Sequence, residues 1–271
     1  MREKSALLHH KIFKLSDQHD WVVFVHGAGG SSSIWFKQLR EFKKQYNVLL
    51  LDLRGHGQSK EIIQNLVDTQ YTFNSVAEDV IRLMDHLELK QAHFVGISLG
   101  TIVIRTIAEI RPEMVTSMIM GGAVTRLKLS SRFLIRIAEW TKRFVPYMWL
   151  YSILAFIIMP QNNHKESRNL FIREARKLAQ KEFLRWFKLT NEVNPLLKLF
   201  GEKEIKTPIL YIMGAQDHMF LQPVKEMVAR HSNSLLKVAQ DCGHVCNVEA
   251  PAFFNEEALA FLGQHAKSMR L

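Results

Sequence analysis

The sequence predicts an α/β fold: a mostly parallel central sheet, helices on both faces, and a helical insertion. Six short apolar runs have the length and β-branched content of strands buried on both faces of a sheet. Segments with apolar residues at spacings of three and four separate them, and strands alternating with helices imply parallel pairing. Between Val124 and Lys206 that alternation lapses, leaving only helix-like patterning. With 271 residues, 47% of them hydrophobic, and only 13 Gly and 7 Pro, the chain can bury a large core. Disordered, collagenous and coiled-coil classes are excluded.

In chain order, Trp21–Val25 (WVVFV) is the first strand, followed by the glycine-rich loop His26–Gly30 (HGAGG). Val48–Leu51 (VLLL) is the second and leads into Asp52–Ser59 (DLRGHGQS). A helix spans Phe73–Leu87, with Val76, Val80, Leu83, Met84 and Leu87 on one face. Ala92–Ile97, Val115–Met120, Ile209–Met213 and Leu235–Ala239 complete the strands, and Phe253–Leu262 closes the chain as a helix. The interruption contains helical stretches at Phe133–Phe144, at the apolar run Val145–Met159, and at Ser167–Leu189. The core is thus expected in two parts, residues 1–123 and 207–271, with a helical cap over residues 124–206. That insertion holds 17 Lys and Arg against 7 Asp and Glu, an excess equal to the +10 of the whole chain.

Gly96-Ile97-Ser98-Leu99-Gly100 lies between the strand HFV and the helical TIVIRTIAEI. A serine on a sharp strand-to-helix turn needs small flanking residues, because neighbouring backbone passes close by. The turn lifts the Ser98 hydroxyl above the sheet and aims the first amides of the next helix at the same spot. A hydroxyl becomes a strong nucleophile only with a base and a carboxylate that orients the base. Asp217 follows the strand ILYIM and His244 follows LLKVA, so both fall at the carboxyl edge of the sheet, as Ser98 does. Asp241 competes with Asp217, but follows its strand too closely to reach around the imidazole.

On GISLG, HGAGG, DLRGHGQS and the ending GHVCNVEAP, the chain resembles the α/β-hydrolase superfamily over nearly its whole length outside the insertion. The resemblance implies a serine esterase-like member with a helical cap. It also implies an oxyanion hole made by the backbone amides of Ala28 and Leu99. Only about 20 residues precede WVVFV, fewer than the family's opening hairpin occupies, so one edge strand is expected to be short or absent.

Other residues receive plainer readings. His26 and His56 are expected to hydrogen-bond within their glycine-rich loops. Cys242, His244 and Cys246 alternate, yet residues two apart in a short loop rarely converge on one ion, so no metal is expected. HGAGG lacks the Gly-Lys-Ser/Thr ending of a phosphate loop and the Gly-x-Gly-x-x-Gly order of a dinucleotide site. The basic residues of the insertion lie among Leu, Ile and Phe without a nucleic-acid module, so no nucleic-acid partner and no cofactor are expected.

The expected reaction is cleavage of a carboxylic ester or thioester with an apolar acyl group, through a Ser98-acyl intermediate. An enol-lactonase, a carbon-carbon bond hydrolase or a perhydrolase would use the same three residues, and a small-molecule-binding signalling protein would use the same fold. In the insertion, Phe133, Leu134, Ile137, Trp140, Phe144, Tyr147, Met148, Trp149 and Phe156 would roof the pocket or pack the cap. Its charge excess, with Arg132, Arg136, Lys142 and Arg143, suits an anionic acyl carrier or a membrane surface. Two cysteines, no apolar leader, and an apolar run of 15 residues against the roughly 20 that cross a bilayer lead to a cytoplasmic expectation.

Overall fold

A computed structural model describes residues 7–60, 71–126, 147–178, 182, 185–186 and 189–266. Seven strands form one sheet: β1 (His10–Phe13), β2 (Trp21–Val25), β3 (Asn47–Leu51), β4 (Ala92–Ile97), β5 (Val115–Gly121), β6 (Ile209–Gly214) and β7 (Ser234–Ala239). Their spatial order is β1-β3-β2-β4-β5-β6-β7, with β1 antiparallel to β3 and every other pairing parallel. The helices are α1 (Phe36–Phe42), α2 (Phe73–His86), α3 (Leu99–Ile110), α4 (Tyr147–Ile158), α5 (Lys165–Ala175), α6 (Thr190–Glu202), α7 (Leu221–Val228), α8 (Cys246–Glu249) and α9 (Pro251–His265).

Period-two alternation divides the core. Val23, Val25, Leu49, Leu51 and Phe94 face α2 and α3, while Val22, Phe24, Val48, Leu50 and Val95 face α1 and α9. Strand β4 is buried at all six positions, which explains its unbroken apolar reading. Strand β7 departs from the expectation of two buried faces: it is the sheet edge, and Leu235 is exposed along with Lys237. At the other edge, four residues form β1, which no apolar run announces because its two central side chains, Lys11 and Ile12, are exposed. This one short antiparallel strand occupies the place where the sequence foretold a shortened edge.

Between β5 and β6 the described secondary-structure elements are all helices, and the sheet resumes after Thr207-Pro208. Helix α4 falls on the apolar run, and α5 covers the first part of the Ser167–Leu189 stretch, ending at Ala175. The helical reading of Phe133–Phe144, with Arg132, Arg136, Lys142 and Arg143, lies outside the described residues. Ala155, Met159 and Leu170 of the insertion pack with Val245 and Val248 after β7, so a small third core joins insertion and sheet. No helix among the described residues is long and apolar enough to cross a membrane.

Candidate active site

Strand β4 ends where α3 begins, and Ser98 occupies the junction at φ 53°, ψ −120°. This left-handed conformation is costly for a non-glycine residue, so tertiary packing must hold it. A Cβ on Gly100 would stand 2.3 Å from the Val25 carbonyl oxygen, and one on Gly96 would stand 2.9 Å from Gly100 backbone. Both glycines are therefore steric requirements of the turn. The Ser98 amide donates to the Gly121 carbonyl at 2.9 Å, pinning the turn to β5.

The structure brings Ser98, Asp217 and His244 together from three loops. His244 Nδ1 donates to Asp217 Oδ2 at 2.8 Å, and its Nε2 lies 2.9 Å from Ser98 Oγ. A carboxylate only accepts, so Nδ1 carries the proton and Nε2 is left to accept from the Ser98 hydroxyl. Asp217 is buried, and its Oδ1 accepts from the Phe220 amide at 3.1 Å. Asp241 is exposed at φ 50°, with its carbonyl accepting from Asn163, and it makes no described contact with His244.

Ala28 and Leu99 flank Ser98, Leu99 as the first residue of α3. Neither amide donates to a protein acceptor among the described residues. The next peptide is held from two sides: the Tyr151 hydroxyl donates to the Ala28 carbonyl at 2.7 Å, and the Gly29 amide donates to His56 Nε2 at 2.9 Å. His56 Nδ1 in turn donates to the Arg54 carbonyl at 3.1 Å. His26 accepts from the Leu53 amide through Nε2 and donates to Gly27 through Nδ1. Both rings thus use one nitrogen as acceptor and stay neutral; burial lowers the pKa of each, that of His56 to about 3. Each ring thus bonds once within its own loop, as expected, and once to the other glycine-rich loop, which the sequence reading did not foresee.

Cys246 Sγ donates to the Ile212 carbonyl and Cys242 Sγ to that of Gly243, while the His244 ring faces Ser98 and Asp217. The three side chains do not converge, and burial pushes both thiols up, which keeps them protonated. Among the described residues no three His, Cys, Asp or Glu side chains are placed to hold a metal.

A cavity of about 250 Å³ opens over Ser98, walled by Ile34, Leu154, Ile158, Phe171, Trp186 and Met219. Among its described lining residues there is no Lys or Arg, and the single carboxylate is that of Glu174. Glu174 is buried and accepts from Ser31 Oγ at 2.9 Å and from Lys177 Nζ at 2.7 Å.

Sequence reasoning missed the supports behind these residues. Gly122, at φ +48°, leaves room for the His244 carbonyl, which would lie 2.1 Å from a Cβ there; the Gly-Gly pair closing β5 was its visible signal. Glu249 accepts from the Gly243 amide at 2.6 Å and from Ser167 Oγ at 2.5 Å, tying the histidine loop to α5. No local pattern links Ser167 to Glu249, which are 82 positions apart.

This sheet order, with a serine elbow and a histidine-carboxylate pair on its carboxyl edge, defines a hydrolase class. A sequence model described as the alpha/beta hydrolase fold matches residues 20–251, and the chain belongs to that family. It is 28% identical over 249 residues to 3-oxoadipate enol-lactonase 2 of Acinetobacter baylyi, covering 89% of this chain and 88% of the relative. Among solved structures, a hydrolase from Pseudomonas aeruginosa superposes with a TM-score of 0.79 at 23% identity, covering 94% of this chain and 93% of its own. The enol-lactonase from Burkholderia xenovorans superposes at 0.76 with 19% identity, covering 94% and 96%. At these identities the two structural likenesses speak for the fold alone.

Proposed function

We propose that the chain is a serine hydrolase that cleaves a carboxylic ester or thioester bearing an apolar acyl group. The observation carrying this reading is the hydrogen-bonded chain from Ser98 Oγ through His244 to Asp217, closed at 2.9 and 2.8 Å. As Ser98 Oγ attacks the carbonyl carbon, His244 Nε2 takes the hydroxyl proton, and Asp217 stabilises the imidazolium. The amides of Ala28 and Leu99 receive the developing oxyanion, each contributing about 3 kcal/mol in comparable sites. His244 then hands its proton to the leaving alcohol or thiol. Water, deprotonated by the same nitrogen, attacks the acyl carbon and frees Ser98.

The apolar walls of the cavity favour an acyl group without charge. A lactone is a cyclic ester and would meet the same groups; the likeness to an enol-lactonase keeps neutral lactones within this reading. The test is labelling by a fluorophosphonate, followed by p-nitrophenyl esters of increasing chain length and a panel of lactones. Loss of label in Ser98→Ala, with turnover that peaks at one chain length, is the expected result. Stoichiometric label without turnover of any ester or lactone would refute hydrolysis as the function.

A further inference from the structure

Helix α4 has two unlike faces. Leu150, Tyr151 and Ala155 are buried, and Tyr151, Leu154 and Ile158 line the cavity over Ser98. On the outer side Trp149, Ile153 and Phe156 are 68%, 52% and 55% exposed. Spacings of four and three put these three side chains on one stripe of the helix. They border a surface groove of about 700 Å³, together with Met148, Ser152 and Arg176. Exposed apolar side chains occurring singly need no explanation, but a contiguous stripe of large ones marks a surface that meets something apolar.

Charge names the partner. Residues 124–206 hold the whole positive excess of the chain, while the remainder is balanced. Arg176 borders the groove at the end of α5, which packs on α4, and Arg173 and Lys177 are exposed beside it; these two share the buried Glu174 carboxylate, so the cations outnumber the one acid there. Arg168 sets its guanidinium over the Phe156 ring at 4.3 Å and donates to the Met159 carbonyl, which holds the stripe in place from behind. A short apolar stripe edged by cations matches the boundary between headgroups and acyl chains of an anionic bilayer. With 12 residues, α4 reaches only about 18 Å, so it would lie along such a surface and not cross it.

We infer that the outer face of α4 docks the protein on an anionic lipid surface, with Trp149, Ile153 and Phe156 seated among the acyl chains and the neighbouring cations on the headgroups. The inference is independent of the hydrolase reading, because binding is measured without turnover. Full-length protein is sedimented with phosphatidylcholine vesicles, with and without phosphatidylglycerol. Binding is expected only with phosphatidylglycerol, weakening with added salt. The variant Trp149→Ser/Ile153→Ser/Phe156→Ser, altered outside the cavity over Ser98, should bind about tenfold less. Arg173→Glu/Arg176→Glu should weaken binding in the same direction. In the unaltered protein, Trp emission should shift to the blue on vesicle addition, and Trp149→Phe should remove that shift, so the idea is tested even if the triple variant misfolds. Failure to sediment with any vesicle, or equal binding by a folded triple variant, overturns the proposal. So does self-association that the triple substitution abolishes in a protein indifferent to vesicles, which would assign the stripe to a second copy of the chain.

Discussion

Replacing Tyr151 by Phe removes one oxygen atom, and the structure says what that atom does. The hydroxyl donates at 2.7 Å to the Ala28 carbonyl, on the far side of the residue whose amide we propose receives the oxyanion. It also fills the space beside Gly29, where a Cβ would stand 1.9 Å from it. Burial raises the Tyr151 pKa far above its ordinary value, so the group is a donor at every working pH. Losing a neutral hydrogen bond costs about 0.5–1.5 kcal/mol, and a buried acceptor left unpaired costs about 1–3 kcal/mol. Part of that cost falls on the free enzyme as lower stability. If about 1.4 kcal/mol falls on alignment of the Ala28 amide in the transition state, kcat drops about tenfold. The assay is kcat on a p-nitrophenyl ester, normalised to active sites titrated with fluorophosphonate, with thermal unfolding measured in parallel. A lower unfolding temperature with kcat per titrated site equal to that of the unaltered protein would refute the alignment argument, leaving Tyr151 as packing alone.

Three further outcomes are expected. Asp217→Asn should lower kcat about ten-thousand-fold at neutral pH while leaving the fold intact, because an amide no longer fixes the proton on Nδ1; a loss below about tenfold would remove Asp217 from the reaction. An acyl group ending in a carboxylate should be a poor substrate, since the cavity offers the Glu174 carboxylate and no described cation. Comparing p-nitrophenyl valerate with mono-p-nitrophenyl glutarate should show kcat/KM at least about tenfold lower for the anion, and Glu174→Gln should narrow the ratio; equal rates would contradict this electrostatic reading. Finally, burial and the neighbouring His26 hold the His56 pKa near 3 against an ordinary 6.5. Below pH 6.5 the unfolded chain takes up a proton that folded His56 refuses, so stability falls as pH drops from 6.5 toward 3. His56→Gln should flatten that slope in urea midpoints measured across the range, and an unchanged slope would place the acid sensitivity elsewhere.

What the sequence discloses depends on whether a local pattern stands for the contact. Strand β4 reads clearly because all six residues are buried, and the Ser98 turn reads clearly because steric crowding demands Gly96 and Gly100 at fixed offsets. Asp217 and His244 were legible through their strands: each sits just past an apolar run. By contrast β1 and β7 lie at the sheet edges, where half-exposed residues blur the period: the sequence marks β1 only as a short or absent edge, without its residues, and gives β7 the pattern of a strand buried on both faces. Tyr151 was absent from the candidate site because its partner is 123 positions away and tertiary docking alone pairs them.

The described contacts of the insertion fall unevenly on the site. Tyr151 holds the loop of Ala28, Ser167 reaches the histidine loop through Glu249, and Asn163 and His164 both reach Gln216, next to Asp217. Ser98 has no such tie among the described residues; its conformation follows from β4, α3 and the glycines between neighbouring backbones. The sheet therefore fixes Ser98, the proposed nucleophile, and the insertion braces the groups that would activate it and receive its charge. A displacement of α4 and α5 would leave the serine posed while loosening the other three loops together. Substitutions at these ties should consequently slow the activated reaction of Ser98 in concert, and pairs of them should combine less than additively, since each weakens the same docking of insertion on sheet.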